Sequence, residues 1–142
     1  MSDHTPNPNK SNWRDLPAGN DLDRYIAEYL GWTVVGNPLT KEAVLWHGTE
    51  LIHVEQSHSE LSVNIARAWN NYIPQYSTDV NAALTLPMTP GWYFSLRSPI
   101  DDDLWTVFIR EDAIPTFTSS KDENPALALC HTWLNWKDGA AT

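Results

Sequence analysis

Cysteine is nearly missing from this chain: Cys130 stands alone, so neither an internal disulfide nor a cysteine-rich zinc site can form. Long apolar runs are missing too. No stretch approaches the roughly 18 residues that a membrane span needs, and the opening MSDHTPNPNK has no apolar segment of the kind that directs secretion. Basic residues are few, nine Lys plus Arg against 18 Asp plus Glu, for a formal charge of −9. That balance weighs against a general nucleic-acid binder, whose footprint is a basic patch. Catalytic signatures are equally scarce. There is no HExxH, no GxSxG elbow and no phosphate-binding GxxxxGK[ST] loop. These absences favour a protein that is not an enzyme and that carries no metal or cofactor, and nothing in them suggests secretion.

What remains is a chain of 142 residues, 42% hydrophobic, which suffices for one core. Its unusual component is tryptophan, with eight copies. Residues 1–20 hold three of the ten prolines, four asparagines and two serines, a composition that predicts a flexible tail. Only Trp13-Arg14-Asp15-Leu16 offers a segment that could dock. One domain is expected over 21–138, followed by a short tail at 139–142.

Leu22, Tyr25, Ile26, Tyr29 and Leu30 repeat at helical spacing, with Asn20 or Asp21 as N-terminal cap and Gly31 placed to end the helix. The pattern then turns extended. Trp32–Val35 reads as a strand, and Ala43–His47 and Glu50–Glu55 read as a hairpin around Gly48-Thr49. Within it, alternation puts Leu51, His53 and Glu55 on one face and Ile52 and Val54 on the other. Residues 59–71 fit either a strand, through the alternating Leu61, Val63 and Ile65, or a helix capped by Ser59, and two Ala and one Arg late in the run favour the helix. A short helix follows Ser77-Thr78-Asp79 and is cut off by Pro87. Trp92–Arg97 and Leu104–Arg110 are the clearest strands. Asp101-Asp102-Asp103, between them, lacks the ligand spacing of a calcium loop and reads as a solvated turn. The last helix begins at Asn124-Pro125, cap and N1 proline, and runs to about Trp136. Leu127, Cys130 and Leu134 form one apolar stripe of it; Leu129, Trp133 and Trp136 form another. A helix this apolar is either buried on two sides or lends one side to a partner subunit, so a homo-oligomer is expected. Helices around a small antiparallel sheet, without βαβ alternation, define an α+β class.

Four ordered blocks carry a family resemblance. Leu22–Trp32 fits a start of the form LxxxIAExLGW, and Ile73–Ala83 resembles PxYSTDxxAA. Gly91-Trp92 then precedes a strand, followed by Trp105-Thr106-Val107-Phe108 in the next one. The closing Asn124–Cys130 resembles an xPLAICRAAL helix. Together they resemble the phage α-β-α (ABA) sandwich domain over roughly residues 22–136. Residues 56–72 look like an insertion in that pattern. The resemblance implies an α-β-α sandwich and a phage protein acting in an infected bacterium. Small phage proteins of this kind include sponges that sequester the nucleotide signals of host immunity.

The candidate site lies on the second face of the 92–110 hairpin. Setting Ser95 opposite Thr106 and Tyr93 opposite Phe108 gathers those four residues with Arg97 and Arg110. Aromatic rings can stack on a base, hydroxyls can bond ribose, and guanidinium groups can grip phosphate. Trp46 and Trp69 join the candidate ligand-binding set, because each adjoins a polar run where an exposed indole would make a stacking platform. His47, His53, Glu55 and His58 are the nearest approach to a metal set, but their spacing matches no known ligand pattern. The function expected is capture of a nucleotide-type ligand without turnover. The alternative is a protein-interaction module that blocks a host protein through an acidic, Trp-rich surface.

Overall fold

The computed structural model describes residues 13–99, 103–111 and 114–140. Two compact units divide the chain, Met1–Pro74 and Gln75–Thr142, where one domain was expected over 21–138. Both follow the same order of elements: a helix, three consecutive antiparallel strands, and a closing helix. The α+β class is therefore realised twice, as two small three-stranded sheets with helices packed on them.

In the first unit, Trp13–Asp15 form one turn of 3-10 helix, and Trp13 is buried. The flexible tail expected over 1–20 thus gives way to order by Trp13; residues 1–12 lie outside the described part. Helix α1 (Asn20–Tyr29) buries Leu22, Tyr25 and Ile26 of the stripe expected of it, while Tyr29, at 48% exposure, does not join them. Its cap differs from expectation. Gly19, at φ 149°, precedes the first turn with no side-chain cap, and Asn20 is already helical. Gly31, at φ 91°, ends the helix in the left-handed region as expected. Strands β1 (Trp32–Gly36), β2 (Ala43–His47) and β3 (Glu50–Glu55) form a meander in that order. Helix α2 (Leu61–Tyr72) closes the unit and packs on all three strands. Gly36 makes that approach possible: a Cβ there would lie 3.1 Å from methyl groups of both Leu61 and Ile65.

One irregularity redistributes side chains in this sheet. Leu45 pairs with His53, but Trp46 pairs with Leu51, so a bulge falls between them. Consecutive residues of β2 point to opposite faces, which sends His53 to the α2 side and Leu51 to the other. The simple alternation expected for 51–55 is corrected here. Leu51 is 50% exposed, and Ile52 sits at the bulge.

The second unit begins with α3 (Val80–Ala83), capped by Asp79, whose carboxylate accepts from the Asn81 N–H at 3.0 Å. Strands β4 (Trp92–Arg97), β5 (Trp105–Glu111) and β6 (Ile114–Asp122) form the second meander. No sequence signal predicted β6. Helix α4 (Pro125–Ala140) packs on β5 and β6. It starts as predicted, with the Asn124 side-chain oxygen accepting from the Ala126 N–H at 2.9 Å and Pro125 at N1. It runs four residues beyond Trp136. Leu127, Leu129, Cys130, Trp133, Leu134 and Trp136 are all buried within the single chain. The girth that pointed to a partner subunit is therefore accounted for without one.

Candidate functional site

In the second sheet, β4 and β5 pair with Tyr93 across from Arg110, Ser95 from Phe108 and Arg97 from Thr106. The expected register is corrected by two residues. A shift of two preserves the alternation of faces, so the predicted grouping survives the correction. Trp92 lies 5.5 Å from Trp136 of α4, ring to ring, and Val107 and Ile109 are fully buried. These mark the α4 side of the sheet. Tyr93, Ser95, Arg97, Thr106, Phe108 and Arg110 share the opposite, outer side.

On that side the Arg97 guanidinium lies 5.7 Å from the Phe108 ring centre, a diagonal cross-strand contact. Arg97 is exposed and forms no ion pair among the described residues. Tyr93 is 45% exposed, while Ser95, Thr106, Phe108 and Arg110 are half-buried. A cation seated on an aromatic ring, with two hydroxyls alongside, can take an anion together with a flat group.

The two remaining candidates belong to the first unit. Trp46 stands on the outer side of the first sheet, half-buried, with Val35 at 57% and Leu51 at 50% exposure on the same side. Trp69 is corrected: it is 5% exposed and packed in the core, with the Arg24 guanidinium 4.8 Å above its ring. Position 69 falls on the inward stripe of α2, and the polar Asn70-Asn71 beside it points elsewhere. Of the eight tryptophans, Trp46, Trp92 and Trp105 are half-buried and the other five are buried.

The histidines scatter into separate contacts. His53 bonds Glu55 through Nε2 at 2.9 Å and stacks on Tyr72 at 3.6 Å. His58 accepts the Glu60 N–H on Nδ1 at 3.0 Å, and His47 stacks on Trp32. Among the described residues no group of three or more His, Cys, Asp or Glu could hold a metal ion. Asp101 and Asp102 lie outside the described residues; Asp103 is exposed.

Asn64 was missed from sequence, and Glu55 was raised there only as a member of the metal set. Asn64, fully buried on α2, accepts the His58 N–H and donates to the carbonyls of Lys41 and His58. Glu55, buried at the end of β3, accepts from Ser57 and His53, and Arg67 of α2 donates to Ser57 at 2.7 Å. Those hydrogen bonds from Ser57 and then His53 hold the Glu55 carboxyl below its ordinary 4.5. Its ionised form therefore stabilises the fold above pH 4.5, and that contribution is lost as pH falls below it. Urea midpoints measured from pH 7 to pH 3 should show wild type losing its advantage over Glu55→Gln below pH 4.5. Parallel pH profiles for the two proteins would contradict this assignment.

Comparison with family models, curated proteins and solved structures returns no match for this chain. No helix among the described residues is long and apolar enough to cross a membrane.

Proposed function

We propose that this chain is a non-enzymatic binding protein that holds a nucleotide-type ligand on the outer face of β4 and β5. The observation that carries the reading is Arg97, exposed, resting on Phe108 and without an acidic partner among the described residues of a chain at −9. In a protein so acidic, a cation left available beside a ring and two hydroxyls concentrates positive potential at one spot. Arg97 with Thr106 and Ser95 would take phosphate and ribose oxygens, and Phe108 and Tyr93 would pack on the base. Capture without turnover suits the scarcity of catalytic signatures in the sequence. With the resemblance to the phage ABA sandwich domain, the ligand would be a signal nucleotide of host immunity, met in the cytoplasm of an infected bacterium. A homo-oligomer stays part of this proposal, with sedimentation as its check.

The test is incubation with a panel of cyclic nucleotides and ADP-ribose derivatives, removal of free ligand, heat denaturation and analysis of what is released. Intact ligand recovered only after heating is the expected result. Arg97→Ala should weaken retention by roughly 10- to 100-fold, the worth of a charge-assisted hydrogen bond, without moving the melting temperature. Altered ligand would mean an enzyme, and no uptake from the panel would sink the proposal. A protein-interaction module is the second reading. It draws on exposed apolar residues of the first unit, with Leu39 at 91%, Val35 at 57% and Leu51 at 50% exposure.

A further inference from the structure

The indole N–H of Trp32 is buried and has no hydrogen-bond acceptor among the described residues. Trp32 itself is 8% exposed, and it opens β1 directly after the left-handed Gly31. Across from it, at the end of β2, stands His47, which is exposed. The two rings lie flat on one another, with centres 4.4 Å apart and planes 8° from parallel. His47 is followed by Gly48, at φ 62°, whose N–H donates to the Gly31 carbonyl at 3.1 Å. Beyond their chain neighbours, neither glycine has an atom of the described residues within 4 Å of where a Cβ would sit, so the backbone on both sides of the ring pair borders open space.

Two things are incomplete at this one indole. One face of it is covered by a small ring on the exposed end of a two-residue hairpin, which can swing away at the cost of a stacking contact. Its N–H is held out of water with no acceptor among the described residues. A flat ring alone would satisfy the first, and a lone anion would satisfy neither face nor geometry. A purine nucleotide offers both parts: a base to stack, and ribose or phosphate oxygens standing out of the base plane as acceptors.

We propose that Trp32 is a stacking position for a purine nucleotide, with His47 occupying the place of the base until the ligand arrives. The base displaces the imidazole from the indole, and a ribose or phosphate oxygen accepts from Trp32 Nε1. This position belongs to the first unit, and the face that contains Arg97 belongs to the second.

The test uses the full chain labelled with 15N, with the Trp32 indole N–H resonance assigned by its loss in Trp32→Phe. Titration with AMP should move that resonance downfield and shift the His47 ring protons, in a saturable way. Inorganic phosphate should leave both in place. His47→Ala removes the competing ring without touching the core, and should tighten AMP binding by roughly two- to tenfold, the worth of one aromatic contact. The same response should persist in Arg97→Ala, which separates this site from the one on β4 and β5. An unmoved Trp32 resonance in both wild type and His47→Ala would overturn the proposal. A long-lived water detected against the Trp32 N–H in the free protein would also overturn it, because the acceptor would then be resident.

Discussion

Trp133→Ala is expected to cost about 3–5 kcal/mol of folding stability, most of what a domain of this size has to spare. Trp133 is fully buried in α4, and its indole N–H donates to the Pro87 carbonyl at 2.8 Å. Truncation removes the largest wholly buried side chain among the described residues and leaves a cavity that Leu129 and Leu134, themselves buried, cannot fill without leaving their own positions. It also releases the turn after α3, where Leu86 is 2% exposed and Pro87 halts the helix. Trp133→Phe separates the two contributions. It keeps most of the apolar area and gives up the hydrogen bond; Pro87 is exposed, so water can replace the lost donor, and a cost of about 1 kcal/mol is expected. Urea denaturation followed by circular dichroism measures both variants. A shift of the Trp133→Ala midpoint equivalent to less than 1 kcal/mol would contradict the placement of α4 in the core.

Which features could be read from the sequence follows from how errors propagate through a period of two. Shifting the β4–β5 register by two residues changed every partner and no face, so Tyr93, Ser95, Arg97, Thr106, Phe108 and Arg110 still grouped correctly. The bulge at Leu45/Trp46 is a shift of one, and it moved Leu51 to the other side of its sheet. No pattern in 43–55 announces it. Strand β6 was invisible because Ile114–Asp122 contains Pro115 and ends in Ser119-Ser120-Lys121-Asp122, with little alternation. An edge position tolerates such a sequence, and β6 is at the edge of its sheet.

The repeated architecture was legible in fragments that no local window connects. Gly31-Trp32 and Gly91-Trp92 stand 60 positions apart, and both glycines have φ 91° ahead of the first strand of their unit. Trp69-Asn70-Asn71-Tyr72 and Trp133-Leu134-Asn135-Trp136 match in their aromatic and asparagine positions near the ends of α2 and α4. On the same alignment of strands, Trp46 in β2 takes the place that Arg110 takes in β5, counted from the Trp32–His47 and Trp92–Glu111 pairs. One outer face has thus become apolar, and the other cationic and hydroxylic. This difference is why the two units invite different functional readings.

Asn64→Ala is the second large loss expected, about 2–4 kcal/mol. Nothing local in Leu61–Tyr72 marks Asn64, which falls on the buried side of α2 where an apolar residue would serve the helix equally well. Its partners are what require it. The side-chain oxygen accepts the His58 N–H at 3.0 Å, and the amide donates to the Lys41 carbonyl at 2.7 Å and the His58 carbonyl at 2.9 Å. Lys41 has φ 66°, the only non-glycine residue with a positive φ among those described, so the bond to its carbonyl holds a turn that its backbone would otherwise leave. Alanine strips one donor and two acceptors of their partner at once. Asn64→Asp discriminates between the roles: its carboxylate keeps the bond from His58 but faces two carbonyls without a proton to give. At neutral pH it should therefore be at least as damaging as alanine, and it should recover in part on acidification, when the carboxyl can donate again. Urea midpoints of the three proteins at pH 7 and pH 5, with hydrogen exchange at the His58 amide, provide the check. An aspartate variant that tracks alanine at both pH values would show that the two donated bonds carry none of the effect.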